Sequence, residues 1–213
     1  MSTSMSMRRM WQLFIALFLV AVSSYGIAQE VPKPGKDDAK KTHEVEEVVK
    51  PELNVANVFK TSVTHLQRTL IPLAMAMPEN KYGFAPTDGE FKGVRTFGQQ
   101  LKHVAATNFI YASSILGEKK PPVDVGEEED GPTSVKTKDE ILKYVNDSFS
   151  YVQKAVAAIN AKNLVSPIKN PFGQGEATRL AMATLIIGHC NDHYGQMVEY
   201  VRMNGIVPPA SMH

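Results

Sequence analysis

Apolar residues recur at spacings of three and four along four stretches of this chain, the pattern of helices that each bury one face. The first stretch runs from about residue 52 to 77, with Val55, Val58, Phe59, Leu66, Leu70 and Leu73 on its stripe. Pro72 near its end predicts a kink or an early stop. A loop containing Pro78, Gly83, Pro86 and Gly89 follows. The second stretch, about 94 to 116, carries Phe97, Leu101, Val104, Tyr111 and Ile115, and Gly117 suits its C-terminal cap. The third begins near Thr137, where Thr137 and Glu140 form a capping-box pattern. Its buried face is Ile141, Val145, Phe149, Val152, Val156 and Ile159. The fourth runs from about 176 to 203 and stops at Asn204-Gly205, with Pro208-Pro209 beyond.

No segment shows a convincing strand alternation, and no repeat is visible. The four helices predict an all-α four-helix bundle over residues 51–213. The connection 118–136 is long and polar and carries the acidic run Glu127 to Asp130. A loop of that length is either functional or disordered. Its acidic run is read as solvated, with cation binding as the sharper alternative.

The N-terminal 50 residues follow a different pattern. Arg8 and Arg9 precede the apolar run Trp11 to Val22, and Gly26-Ile27-Ala28 offers small residues for cleavage after Ala28. This predicts a signal peptide over residues 1–28 and an exported protein, periplasmic or secreted. The rival is an uncleaved anchor, but a span needs about 20 apolar residues and this run is shorter. No cysteine stands at the cleavage site to carry a lipid. Residues 29–50 are rich in Lys, Glu, Asp and Pro, cannot bury enough apolar surface to fold alone, and read as a flexible linker. His43 lies there, solvated.

Removing Arg8 and Arg9 from the 23 basic residues leaves 21 against 22 acidic ones, a near balance. Such a surface exerts no general pull on nucleic acid or anionic lipid. Cys190 is the only cysteine, so the fold is stabilised by its core and not by an internal disulfide.

The candidate chemistry lies on the fourth helix. Met182, Leu185, Ile186, His189, His193, Met197 and Tyr200 share one side, so both histidines point into the bundle. Histidines four apart lie about 5–6 Å from each other at Cβ, close enough to share one metal ion. The bland reading is a pair of core histidines. A peptidase is not indicated, because Cys190 follows the first histidine where a zincin has Glu. A third ligand would come from His103 on the second helix or His65 on the first, and spacing favours His103 only slightly. Cys190 is rotated by about 100° from His189 and reads as a small buried group. Gly195 reads as a close-approach or packing glycine. Gln196 reads as an orienting group or an ordinary polar residue. Arg202 reads as an anion ligand or a partner for a carboxylate.

A resemblance sharpens this reading. His189-Cys-Asn-Asp-His193-Tyr-Gly195-Gln196, continuing into Tyr200-Val-Arg202-Met-Asn204-Gly205 and Pro208-Pro209, resembles the C-terminal signature of the DinB-like family. Arg95-Thr-Phe97 and Leu101-Lys-His103 resemble the family's second-helix segment. The resemblance spans residues from about 53 to 211. It implies an up-and-down variant of the four-helix bundle with a metal triad of His103, His189 and His193, and leaves His65 without a role. Tyr194 departs from the His or Arg common at that position, which need not be a ligand.

Three imidazoles leave a metal an open position, as catalytic and ligand-binding sites require. The expected cofactor is a divalent ion, zinc or nickel first, with iron and manganese as alternatives. The resemblance implies kinship with transferases and isomerases that use low-molecular-weight thiols, and the open metal position suits a transferase or hydrolase working through bound thiolate or hydroxide on an unknown small molecule. Export argues against the thiol version, since the low-molecular-weight thiols of such enzymes are cytoplasmic. No convincing general base is visible. The alternative is a non-catalytic metal-binding or small-molecule-binding envelope or stress protein. A homodimer is compatible with the sequence, and no stable membrane anchor is expected after cleavage.

Overall fold

The structure, a computed structural model, describes residues 53–87 and 93–212. The predicted signal peptide, the linker and Gly89 lie outside the described residues. The element order is α1 (Val55–Ala76), α2 (Phe97–Leu116), α3 (Lys138–Ala157), β1 (Pro167–Lys169), β2 (Glu176–Thr178) and α4 (Arg179–Met203). Short 3-10 turns lie at Glu79–Lys81, Glu127–Glu129 and Pro209–Ser211.

Side chains with lone pairs at the helix starts fix the boundaries. Asn54, Thr96, Thr137 and Thr178 each accept a hydrogen bond from a main-chain N–H of the first turn. The Thr137–Glu140 capping box forms as its spacing predicts, and a second, Thr96–Gln99, opens α2. Gly117 closes α2 in the left-handed region at φ 75°. Pro72 does not stop α1, which continues to Ala76. A cap of this kind is worth about 0.5–2 kcal/mol, so Thr137→Ala should lower the urea midpoint by a corresponding amount. An unchanged midpoint would show that α3 is held by packing alone.

α2 is the central helix, buried around most of its circumference, and it packs on both α3 and α4. α1 also packs on α3 and α4, so α1 and α2 are diagonal. Cross-helix bonds set the directions. Lys138 at the start of α3 donates to the carbonyls of Met75 and Met77 at the end of α1, so these two run antiparallel. Asn108 donates to Ser148, and Ser113 bonds Tyr151 further on, so α2 and α3 run parallel. Tyr200 reaches the Arg95 carbonyl and Arg179 the Ile115 carbonyl, so α2 and α4 run antiparallel. The order of directions is therefore up, down, down, up, which corrects a simple up-and-down alternation.

Parallel neighbours explain the long connection after α2. A 20-residue helix is about 30 Å long, and the chain must return along it before α3 can start. This crossover is ordered: Lys102 Nζ donates to the Pro132 carbonyl at 2.8 Å, and Tyr144 donates to the Asp124 carbonyl at 3.0 Å.

Two expectations need correction. Val58 and Leu185 are exposed, because a stripe drawn from apolar residues alone is wider than the arc a neighbouring helix covers. The segment before α4 also holds a small antiparallel hairpin, with Ile168 opposite Ala177, where no strand was expected. The other predicted core positions of α3 are buried without exception. Among the described residues no helix is long and apolar enough to cross a membrane.

Candidate metal centre

The packing of α2 against α4 brings His103, His189 and His193 together. Their ligand atoms all lie within 4.8 Å of one another, and no other His/Cys/Asp/Glu cluster with metal-holding geometry occurs among the described residues. His189 Nε2 stands 3.2 Å from His103 Nε2 and 3.1 Å from His193 Nε2. Two nitrogens at about 2.0–2.1 Å from one ion, at the tetrahedral angle, stand roughly 3.3 Å apart. The spacing found is close to that value.

The opposite ring nitrogens are all occupied by acceptors. His103 Nδ1 donates to the main-chain carbonyl of Glu129 at 2.9 Å. Thr107 gives its one proton to a carbonyl of the preceding turn, so its oxygen accepts from His189 Nδ1 at 3.2 Å. Gln100 Oε1 accepts from His193 Nδ1. The Gln100 amide then donates to Gln196 at 2.9 Å, and Gln196 donates to Asp192 at 2.9 Å. Each ring is thereby fixed with its proton on Nδ1 and its Nε2 lone pair facing the other two. Partners of this kind orient the histidines of metal sites.

Burial favours the neutral ring, the form that binds a metal. His103 and His193 are 9% and 8% exposed, and His189 is half-buried. Desolvation lowers the pKa of all three. It takes His193 down to about 4 and His189 to about 3, the latter helped by repulsion from His193 and His103. In His103 the Glu129 carbonyl opposes the shift. The unfolded chain binds these protons near pH 6.5, so between 6.5 and 4 it holds more protons than the folded one. The metal-free protein should therefore lose stability as pH falls from 7 to 5. Urea titrations at these two values would read the loss. A flat response would mean the rings protonate freely while folded.

Other candidate residues fall outside the cluster. His65 is exposed on α1. Cys190 is fully buried, donates to Asn108 at 3.3 Å, and has its thiol pushed up to about 12 by desolvation. Gly195 is exposed with open space beside it, so it serves no close approach. Arg202 pairs with Glu199 at 2.7 Å on the outer surface. Gln196 acts on His193 through Gln100 and not directly. Asp130 pairs with Arg95 at 2.6 Å, so the acidic run is partly engaged. Gln100, Thr107, Tyr111 and Glu129 were not singled out as site residues by the sequence. Gln100 and Thr107 sit three before and four after His103, a spacing that places them on its row.

The DinB superfamily model matches residues 62–197. The chain belongs to the DinB superfamily. The match runs from within α1 through most of α4 and includes all three histidines. Among solved structures, a DinB-like protein from Bacillus cereus superposes with a TM-score of 0.57 at 18% identity, covering 72% of this chain and 95% of that one. At that identity the likeness speaks for the fold. No curated protein matches. A three-histidine cluster in a superfamily that often binds metals fits a divalent ion by donor type, spacing and protonation state.

Proposed function

We propose that this DinB-superfamily member is exported and holds one divalent metal ion through the Nε2 atoms of His103, His189 and His193, with a position left open for a small molecule. One observation carries the reading. Three neutral imidazoles turn their lone pairs toward one point, each held that way by an acceptor on its other nitrogen. Without a cation or proton between them, these lone pairs would repel one another and lose hydrogen bonds to water. When bound, such an ion supplies Lewis acidity and lowers the pKa of a coordinated water or thiol.

The residues around it orient and shield. Gln100 and Thr107 hold two rings, and the crossover closes over the third. The carboxylates whose charges reach the rings are Glu129 and Asp130 at His103 and Asp192 at His189, of which Asp130 is paired with Arg95 and Asp192 accepts from Gln196. We favour a site whose ion itself activates the bound group, as in a metal-dependent hydrolase or transferase. A non-catalytic binding role rests on the same cluster and is separated by turnover.

The deciding experiment is metal content by mass spectrometry of the chain from Gln29 onward, purified without nickel resin, beside the triple His103/His189/His193→Ala variant. About one equivalent in wild type and none in the variant is expected. No uptake by wild type, even with added zinc or nickel, would leave a bundle with core histidines.

A further inference from the structure

Beyond the histidines, the end of α2, the crossover and the β1–β2 hairpin enclose a cleft of about 590 Å³. That volume lies within the range of small-molecule sites, about 300–1,000 Å³. The cleft adjoins the cluster on two sides. Glu129, whose carbonyl holds His103, lines it. Phe172 also lines it and meets Tyr111 edge-on at 5.1 Å, and the Tyr111 ring lies 6.3 Å from that of His189. Tyr111 follows His103 and Thr107 on one row of α2, so it stands between the metal ligands and the cleft.

The lining has two characters. Val125, Ile168 and Phe172 give an apolar wall. Lys119, Lys120, Lys169 and Arg179 give four cationic groups against the carboxylates of Glu118 and Glu129. No cation among the four forms an ion pair within the described residues. The Glu118 carboxylate is engaged by the Tyr151 hydroxyl. Arg179 is half-buried, and its guanidinium meets only the main-chain carbonyls of Ile115 at 3.1 Å and Asn163 at 3.5 Å. A half-enclosed guanidinium beside an exposed aromatic suits an anion with an apolar body.

We propose that this cleft binds a small anionic molecule, its acid group on Arg179 and Lys169, its apolar body on Phe172 and Val125, and its far end directed past Tyr111 to the histidine cluster. The inference deepens the metal-site reading and rests on it only for the direction of the ligand. Substrates of the site would then be amphipathic acids, and neutral analogues would be poor ones.

The test uses two fluorescent probes on the purified protein: 1-anilinonaphthalene-8-sulfonate and its neutral counterpart N-phenyl-1-naphthylamine. Arg179→Gln and Lys169→Gln should each weaken the sulfonate about tenfold, as loss of one charge-assisted contact implies, and leave the neutral probe unchanged. Phe172→Ala should weaken both. Arg179 also anchors the end of α2, so Lys169→Gln, with helix content followed by circular dichroism, serves as the variant free of that role. Equal binding of the two probes by wild type, or sulfonate binding indifferent to Lys169→Gln and Phe172→Ala, would overturn the proposal. Metal content is measured in the same samples. Metal uptake without sulfonate binding removes the cleft proposal alone. Sulfonate binding with the expected variant pattern in a protein that takes up no metal supports the cleft and removes the metal reading.

Discussion

Alanine at His193 is expected to abolish stoichiometric metal binding, and leucine at Gln100 to weaken it by about 10–100-fold with the fold intact. The two effects have different origins. His193→Ala removes one of three donors and leaves an ion with two imidazoles. Gln100→Leu keeps all three donors and approximates the volume of the side chain. It removes the acceptor on His193 Nδ1 and the link to Gln196. The ring can then rotate or shift its proton to Nε2, where a proton competes with the metal. Gln100 is 3% exposed, so water cannot readily replace it. Competition titrations with a chromophoric chelator would measure both dissociation constants. Equal affinity in wild type and Gln100→Leu would mean that packing alone orients His193. Loss of metal as complete as in His193→Ala, with reduced helix content, would place Gln100 in the core and not in the site.

The three histidines of the cluster are more legible in the sequence than the groups that hold them. His189 and His193 are legible because their spacing matches the helix period within an apolar stripe. His103 needed the family resemblance, since a single helical histidine has no partner in its own element. Thr107 and Gln100 left a faint trace as polar residues on the His103 row of a helix that is otherwise buried on almost every side. Glu129 left none, because it contributes a main-chain carbonyl, which any residue carries. The same holds for the fold. Periodicity gives the helices and the α3 core residue by residue. It carries no information on helix direction, which depends on contacts such as Lys138 to Met75 and Asn108 to Ser148. The three-residue strands Pro167–Lys169 and Glu176–Thr178 are too short for an alternation to show.

Because α2 and α3 run parallel, the crossover must pass the histidine cluster, and this gives the second large effect. Gly126→Ala should weaken metal binding by about 10–100-fold from a position that touches neither an imidazole nor an ion. Gly126 has φ +73°, and a Cβ there would lie 2.2 Å from the Gly131 carbonyl oxygen. The obstacle is backbone, so the turn between these glycines must open. That turn already holds Glu128 and Glu129 at φ 50° and 58°, a region side chains rarely adopt. It is pinned by Arg95 to Asp130 at 2.6 Å and by the Gly131 N–H to the Val125 carbonyl at 2.8 Å. What the turn delivers is the Glu129 carbonyl on His103 Nδ1. Opening it frees His103 to rotate. Glu129→Asn is the informative companion, because asparagine tolerates the left-handed region and keeps the carbonyl. It should leave metal affinity unchanged. The chelator titration decides between the alternatives. If Gly126→Ala binds as wild type does, the crossover is only a tether. If Glu129→Asn is as damaging as Gly126→Ala, the carboxylate and not the carbonyl supports the site.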